Sequence, residues 1–293
     1  MRKIMLNIRS DFADEGDFLD DKEETFTHHE CVEGDIKTNY IRILKEDNIL
    51  NKEVGDYVSI EFSNLQDYHD RECIINHIIK NMKVMLEDMK LSNSKRYLVV
   101  GLGNRFITSD ALGPGVIGEI MVTAHLYEMK IKEAMKGTSN VAALAPGVMG
   151  QTGLETCSII SCIVKQYKPD FVIVIDALAT RNSKRINRVV QINNTGIQPG
   201  SGTGNQRMAL NEQSLKCPVI AIGVATITSI GAILDETLES LKINSSEILQ
   251  AIQERNVLDL VVTPKSMDDE LQHLIFIIAR ALNEVIHPDF LNL

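Results

Sequence analysis

Three short apolar segments, each followed by a glycine-rich or polar stretch, most strongly restrict how this chain can fold. They read YLVVGLGN (97–104), FVIVIDAL (171–178) and PVIAIGVA (218–225). None of them alternates apolar and polar residues, which is typical of strands buried on both faces of a sheet. The chain therefore needs a sheet that is covered on both sides.

Amphipathic segments alternate with these strands and can supply that cover. Apolar residues recur at helical spacing in four stretches, residues 67–90, 111–129, 153–167 and 266–286. Two further strands are predicted, at 54–62, where VGDYVSIEF alternates, and at 141–145. We therefore predict a three-layer α/β fold, with a mainly parallel or mixed sheet and helices on both faces.

Composition narrows the classes of protein further. A length of 293 residues with 44% hydrophobic content can form a sizeable core. No apolar run approaches the roughly 20 residues that cross a bilayer, and the start of the chain lacks an apolar signal core, so we predict no membrane partner and retention in the compartment of synthesis. A net charge of −10 disfavours direct binding of nucleic acid.

The five cysteines are scattered and form no Cys-x-x-Cys pair, which favours a reducing cytoplasm and predicts no structural zinc. His28, His29 and Glu30 are adjacent, and adjacent residues rarely converge on one ion. We interpret them as part of a solvated loop. No metal is predicted.

The N-terminal region differs in composition from the rest. Residues 11–24 carry eight acids, one base and few apolar side chains. Such a segment gains little from burial, so we predict an exposed acidic arm within residues 1–53. Residues 54–293 are predicted to form a single α/β domain.

A glycine motif, Gly101-Leu102-Gly103-Asn104, follows the first buried strand. In a dinucleotide-binding fingerprint the third glycine would fall at position 106, but Phe106 stands there. We therefore predict no nucleotide cofactor. The glycines are expected to form a tight turn that brings Asp110 to the edge of the sheet.

Two aspartates follow the buried strands. Asp110 precedes an apolar helical stretch and could be a helix N-cap, while Asp176 follows five apolar strand residues and could be a strand-end acid held by loop amides. Alternatively, both lie at the carboxyl edge of one sheet, where open α/β folds usually have their ligand-binding and catalytic residues. Close carboxylates resist double ionisation, so one would hold a proton while the other acts as a base.

Such a pair can activate water for peptide hydrolysis without a nucleophilic side chain. A serine-protease mechanism is less well supported, because Pro199-Gly200-Ser201-Gly202 lacks the Gly-x-Ser-x-Gly motif that surrounds a nucleophilic serine. Ser201 is interpreted as part of a glycine-rich loop that could cradle a carboxylate or a substrate backbone.

Ten segments are spread in order over nearly the whole chain: IRSDFADE, GDYVSIE, LVVGLGN, TSDALGP, APGVMGQTGLET, PDFVIVIDALA, TGIQPGSGTGN, PVIAIGVAT, VVTPK and the terminal IHP. In this order they resemble the landmarks of the germination protease family of spore-forming bacteria. The fold also resembles that of the hydrogenase-maturation endopeptidases, which supply the alternative enzyme function. A non-catalytic spore protein that keeps the fold is the other alternative.

The resemblance implies a tetrameric endopeptidase, made as a zymogen in the forespore, that degrades small acid-soluble spore proteins in the spore core during germination. The family's proposed catalytic acids match Asp110 and Asp176. Because the family cuts after glutamate, Arg181 or Arg185 is predicted to bind an acidic substrate side chain.

The chain departs from the family pattern at a few positions. Asn194 stands where members usually carry Asp, Gln198 where they carry His, and residues 225–227 replace a proline-containing turn. These changes predict a weakened or retuned loop. Seven residues precede Ile8, so a pro-segment at this end is expected to be short.

Overall fold

A computed structural model describes residues 10–16, 24–200, 207–241 and 260–290. Within these ranges the chain forms nine strands joined in one sheet. The strands are β1 (Phe26–Glu33), β2 (Ile36–Ile43), β3 (Gly55–Phe62), β4 (Arg96–Gly101), β5 (Asn140–Leu144), β6 (Phe171–Thr180), β7 (Val189–Asn193), β8 (Val219–Ser229) and β9 (Val261–Val262).

The helices of the described ranges lie mostly between the strands. They are α1 (Tyr68–Asp88), α2 (Leu112–Glu119), α3 (Ala124–Glu128), α4 (Lys132–Met135), α5 (Met149–Thr152), α6 (Thr156–Tyr167), α7 (Glu212–Leu215), α8 (Ile230–Ser240) and α9 (Met267–Ile286). None of these helices combines the length and the apolarity that a membrane crossing requires.

The sheet is mixed. Its order is β1-β2-β3-β7-β8-β6-β4-β5, and β9 pairs with β8. The four strands β5, β4, β6 and β8 run parallel to one another, and every other pairing is antiparallel. The predicted mainly parallel or mixed sheet is thus confirmed, and three of its four parallel strands, β4, β6 and β8, come from the continuous apolar segments 97–104, 171–178 and 218–225.

Side chains of the central strands alternate between two cores, which confirms the three layers. On β6, Phe171, Ile173 and Ile175 pack with residues of α1, α2 and α9, whereas Val172 and Val174 pack with residues of α6 and α7. All five are completely buried. Strands with both faces covered lose their polar alternation, which explains the continuous apolar runs.

Two predicted boundaries shift. The predicted helical stretch at 111–129 is interrupted, because Ile120 is extended and separates α2 from α3. The Phe171 strand continues to Thr180, four residues past Asp176, because β6 keeps pairing with β8 after β4 has ended. His28, His29 and Glu30 lie in strand β1, not in the predicted loop.

Residues 11–16 of the acidic arm are buried or half-buried, contrary to the sequence-based expectation, whereas Glu24 is exposed. Phe12 and Ala13 are buried, and the carboxylates of Asp14 and Glu15 are only 3% and 6% exposed. Burial is possible because Arg185, far along the chain, neutralises both acids. The predicted boundary between residues 53 and 54 falls between β2 and β3, which pair over eight residues.

Candidate active site

A cleft of about 490 Å³ opens at the carboxyl edge of the parallel strands. Its described lining includes both predicted catalytic acids, Asp110 and Asp176, together with a third acid, Asp11. Loops after β4 and β5, the end of β6 and the bulged part of β8 form its walls. Asp110 and Asp176 therefore lie at the same edge of the sheet, as the order of strands and loops in the sequence predicted.

Asp176 occupies the first position of β6 that β4 no longer covers. The last residue pair between these strands is Gly101 with Ile175, and Leu102 donates its N–H to the Ile175 carbonyl at 2.8 Å. Asp176 still pairs with Gly223 of β8 on the other side. A rigid central strand therefore holds this carboxyl group, which is only 7% exposed, at the floor of the cleft.

Asp110 reaches the same cleft from the layer of α2. Gly103, at φ +110°, turns the chain after β4 so closely that a Cβ there would lie 2.1 Å from the Asp110 carbonyl oxygen. Glycine is needed because other residues rarely adopt this backbone conformation and none would fit. The predicted tight turn is present and places Asp110 beside the edge of β4.

The Asp110 side chain does not cap a helix. The N-cap of α2 is Ala111, which makes no side-chain capping bond. Instead, Asp110 Oδ2 accepts the N–H of Asn104 at 2.9 Å, and the Asp110 carbonyl accepts the same N–H at 2.9 Å. The carboxylate is therefore anchored across its own loop, with its second oxygen left for other contacts.

Asn104 links this loop to the opposite wall of the cleft. Its Oδ1 accepts a hydrogen bond from Gln151 Nε2 at 2.7 Å, and Gln151 Oε1 accepts the N–H of Val148 at 3.3 Å. This chain of bonds ties the loop that carries Asp110 to the segment after β5. The position of Asp110 is thus set by two loops together.

Burial raises the pKa of both acids, and neighbouring carboxylates raise that of Asp176 further. Burial raises the pKa of Asp110, and the N–H of Asn104 opposes this shift. The pKa of Asp176 lies well above the usual range, first because of burial and then because of the negative charges of Asp110 and Asp11. The N–H of Ala177, which donates to Asp176 Oδ1 at 2.9 Å, opposes this rise.

This arrangement suits acid–base chemistry on water. The larger rise at Asp176, whose charged form is desolvated and repelled, favours its protonated form, whereas Asp110 is less buried and is the acid that ionises at lower pH and can act as the base. A pair of carboxyl groups with separated pKa values is the usual sign of assigned acid and base roles.

Sequence reasoning missed two polar residues of the cleft. Asp11 lines it although the residue lies in the segment predicted to be an exposed arm. Thr226 is the extra residue where β8 bulges opposite Leu178 and Ala179, and its buried Oγ1 has no hydrogen-bond partner among the described residues. Asp11 lies in the family-like segment IRSDFADE, and Thr226 lies in residues 225–227, which differ from the family pattern. The resemblance gave neither residue a role.

The structure does not bring the predicted substrate-binding arginines to the cleft. Both line a separate pocket on the other side of residues 11–15. Arg185 is 6% exposed and donates to Asp14 at 2.8 and 3.0 Å and to Glu15 at 2.8 Å. Its Nε also lies 3.0 Å from Glu61. These contacts occupy its guanidinium, and neither arginine lines the cleft that holds Asp110 and Asp176.

Among the described residues that line the cleft, Arg207 alone carries a positive charge. It is partly exposed and follows residues 201–206, so the predicted role of Ser201 lies outside the described residues. No group of three or more His, Cys, Asp or Glu suited to a metal ion occurs in the described ranges.

The fold and the cleft define a class: a three-layer α/β protein with two carboxyl groups of unequal basicity at the edge of its sheet. Comparison with known proteins is more specific. The germination protease family model matches residues 6–245. The chain therefore belongs to the germination protease family, and it is a protease.

Individual relatives agree. A germination protease of Clostridium tetani is 37% identical over 284 residues, covering 88% of this chain and 87% of the relative. That of Clostridium acetobutylicum is 39% identical over 280 residues, covering 87% and 86%. That of Caldanaerobacter subterraneus subsp. tengcongensis is 37% identical over 313 residues, covering 97% and 96%.

Among solved structures, the [NiFe] hydrogenase maturation protease HycI from Thermococcus kodakarensis aligns with a TM-score of 0.35 and 18% identity. The alignment covers 68% of this chain and 98% of the other. At this distance the likeness carries no conclusion about activity.

Proposed function

We propose that this protein is an endopeptidase that hydrolyses small acid-soluble spore proteins during germination, with Asp110 and Asp176 activating water. One observation carries the proposal: both acids line one cleft, and the charge of Asp110 adds to burial in raising the pKa of Asp176. Family membership supports the protease activity and the link to germination.

In the proposed reaction, ionised Asp110 takes a proton from a water molecule, and the water oxygen attacks the carbonyl carbon of the scissile peptide. Protonated Asp176 donates a hydrogen bond to the developing oxyanion. When the C–N bond breaks, a carboxyl proton passes to the leaving nitrogen. One proton has then moved from water to the amine, and the pair returns to its starting charge.

In this proposal, Arg207 binds the acidic side chain of the substrate, in place of Arg181 or Arg185. A substrate carboxylate would be repelled by Asp11, Asp110 and Glu155, so it needs a cation within the cleft, and Arg207 is the one available in the described lining. A guanidinium suits this task because it can bind both carboxylate oxygens.

Other properties of the proposed function extend beyond the site. We place the protein in the cytoplasm of the forespore and the spore core, as a homotetramer made as a zymogen. The zymogen proposal has its own test: removing residues 1–7 is expected to raise the rate of substrate cleavage more than it changes the melting temperature. A large fall in melting temperature at an unchanged rate would contradict it.

Incubation of the purified protein with a small acid-soluble spore protein tests the main proposal. Cleavage within the substrate, seen by mass spectrometry and unaffected by a chelator, is the expected result. Cleavage that a chelator abolishes would contradict the two-aspartate mechanism. Binding without cleavage would contradict the enzyme function itself.

A further inference from the structure

Residues 10–16 form a segment, here called the N-terminal strap, that lies across the end of β6. Phe12 is 2% exposed and packs against Leu178, Val189 and Ala225. The Arg185 guanidinium lies 4.8 Å from the centre of the Phe12 ring. A surface arm would not bury an aromatic ring in this way, so the strap is part of the folded core.

Polar contacts fix the part of the strap that follows Phe12. Ala13 donates its N–H to Gln191 Oε1 at 2.9 Å. Asp14 and Glu15 bind Arg185, and Glu15 Oε2 also accepts the N–H of Arg181 at 2.7 Å. These bonds leave little freedom for the residue before Phe12.

That residue, Asp11, clamps Ala179 on β6. The Asp11 N–H donates to the Ala179 carbonyl at 3.0 Å, and the Ala179 N–H donates to Asp11 Oδ2 at 2.8 Å. Ala179 is the point where the pairing of β6 with β8 shifts register, three residues after Asp176. The clamp therefore supports β6 where its pairing on the β8 side is irregular and β4 has already ended.

Asp11 also contributes charge to the cleft. Its carboxylate lines the cleft with Asp176 and raises the pKa of that residue, after burial and the charge of Asp110. The other charged groups of the described lining are Glu155, from the segment before α6, and Arg207, from the loop before α7. Neither of these is among the causes of the Asp176 shift.

We propose that Asp11 is a positioning residue of the protease: it clamps Ala179 and thereby fixes both the place of Asp176 and the negative charge beside it. The inference rests on the proposed two-aspartate function. It assigns the strap a role in the active enzyme, in addition to its place in the core. Asp11 does not exchange a proton with the substrate in this account, and acts only through Asp176.

Two substitutions separate the clamp from the charge. Asp11→Asn keeps an oxygen that can accept the Ala179 N–H but removes the charge. We expect the alkaline limb of the kcat/KM profile to move to lower pH, because Asp176 then loses its proton more easily. Asp11→Ala removes the side-chain half of the clamp as well, and a misplaced catalytic group of this kind is expected to lower kcat/KM by about 10²-fold. Asp11→Asn should recover most of that loss.

Titration of the aspartate carboxyl groups by 13C NMR gives a second readout that does not require activity. The Asp176 resonance, assigned with Asp176→Asn, should titrate at lower pH in Asp11→Asn than in the wild type. Asp35→Asn is the matched control, since it removes an exposed carboxylate from the turn between β1 and β2, and it should leave the Asp176 titration unchanged.

The outcomes are distinguishable. If Asp11→Ala is folded and keeps wild-type kcat/KM, or if Asp11→Asn moves neither the alkaline limb nor the Asp176 titration, Asp11 is merely structural and the inference is wrong. If the wild type cleaves no spore protein, the proposed function fails. The carboxyl titration then still decides whether Asp11 acts on Asp176.

Discussion

Asp110 acts electrostatically on Asp176. Burial is the main reason that the pKa of Asp176 lies well above its usual range, and the charge of Asp110 adds to the shift. Asp110 itself has a raised pKa because of burial, which its bond from the Asn104 N–H opposes. Two acids that interact in this way titrate as a pair.

The first prediction concerns the pH dependence of cleavage. The active form needs Asp110 ionised and Asp176 protonated, so kcat/KM should fall when acid protonates the first and when base deprotonates the second. Because both pKa values are raised, the active range should begin above the usual aspartate range. A kcat/KM profile on a peptide substrate should be bell-shaped, and a flat alkaline side would contradict the assigned acid role.

The second prediction concerns stability. A carboxyl group whose pKa is raised on folding stabilises the fold below its unfolded pKa, and this contribution is lost as pH rises through the folded pKa. Asp176→Asn removes this loss, so the variant should gain stability relative to the wild type as pH increases above the usual aspartate range. Urea unfolding at several pH values measures it. A variant less stable than the wild type at neutral pH would indicate that Asp176 serves as a structural anchor.

The third prediction concerns the buried ion cluster of the strap. Arg185→Met leaves Asp14 and Glu15 buried without their cation, and removing one partner of a buried pair typically costs about 3–5 kcal/mol. Urea unfolding should show this loss. Lys184→Met is the control, because Lys184 is exposed in the same turn and should change stability by less than about 0.5 kcal/mol. Equal stabilities of the two variants would refute the role given to Arg185.

The fourth prediction concerns substrate choice. If Arg207 binds an acidic side chain, Arg207→Gln should lose the preference for a glutamate substrate over its glutamine counterpart. A charge-assisted hydrogen bond of this kind is worth about 1.5–3 kcal/mol. Arg181→Gln, in the separate pocket, should keep the preference. The test is the ratio of kcat/KM for the glutamate peptide to that for the glutamine peptide, measured for each variant. If Arg181→Gln loses the preference and Arg207→Gln keeps it, Arg181 binds the substrate.

The sequence was sufficient to predict the layers and the edge of the sheet at which Asp110 and Asp176 meet. Continuous apolar runs at β4, β6 and β8 can only be strands covered on both faces, and the residues that follow such strands meet at one edge. The glycines after β4 indicated a tight turn, and the structure shows why Gly103 has to be a glycine.

The strap could not be predicted because its partners are distant in sequence. Acidic residues without local cations indicate an exposed segment, and only the fold brings Arg185 to Asp14 and Glu15. The alternative that Asp110 caps a helix is wrong for a related reason. An aspartate at the start of a predicted helix could accept an N–H of that helix, but the Asp110 carboxylate accepts the N–H of Asn104 in the preceding loop instead.

The central claim is that Asp110 and Asp176 perform the chemistry as a pair. Asparagine keeps the shape of each side chain and removes its acid–base function, so Asp110→Asn and Asp176→Asn should each lower kcat on a small acid-soluble spore protein by about 10²–10⁴-fold. Asp67→Asn is the matched control. Asp67 caps α1 by accepting the His69 N–H at 2.7 Å, and asparagine caps helices about as well.

The most direct measurement is therefore kcat for these three variants and the wild type, with circular dichroism to establish that each is folded. The account predicts that Asp67→Asn turns over substrate at the wild-type rate while both cleft variants lose at least two orders of magnitude. Wild-type turnover by a folded Asp110→Asn or Asp176→Asn protein would show that the chemistry lies elsewhere.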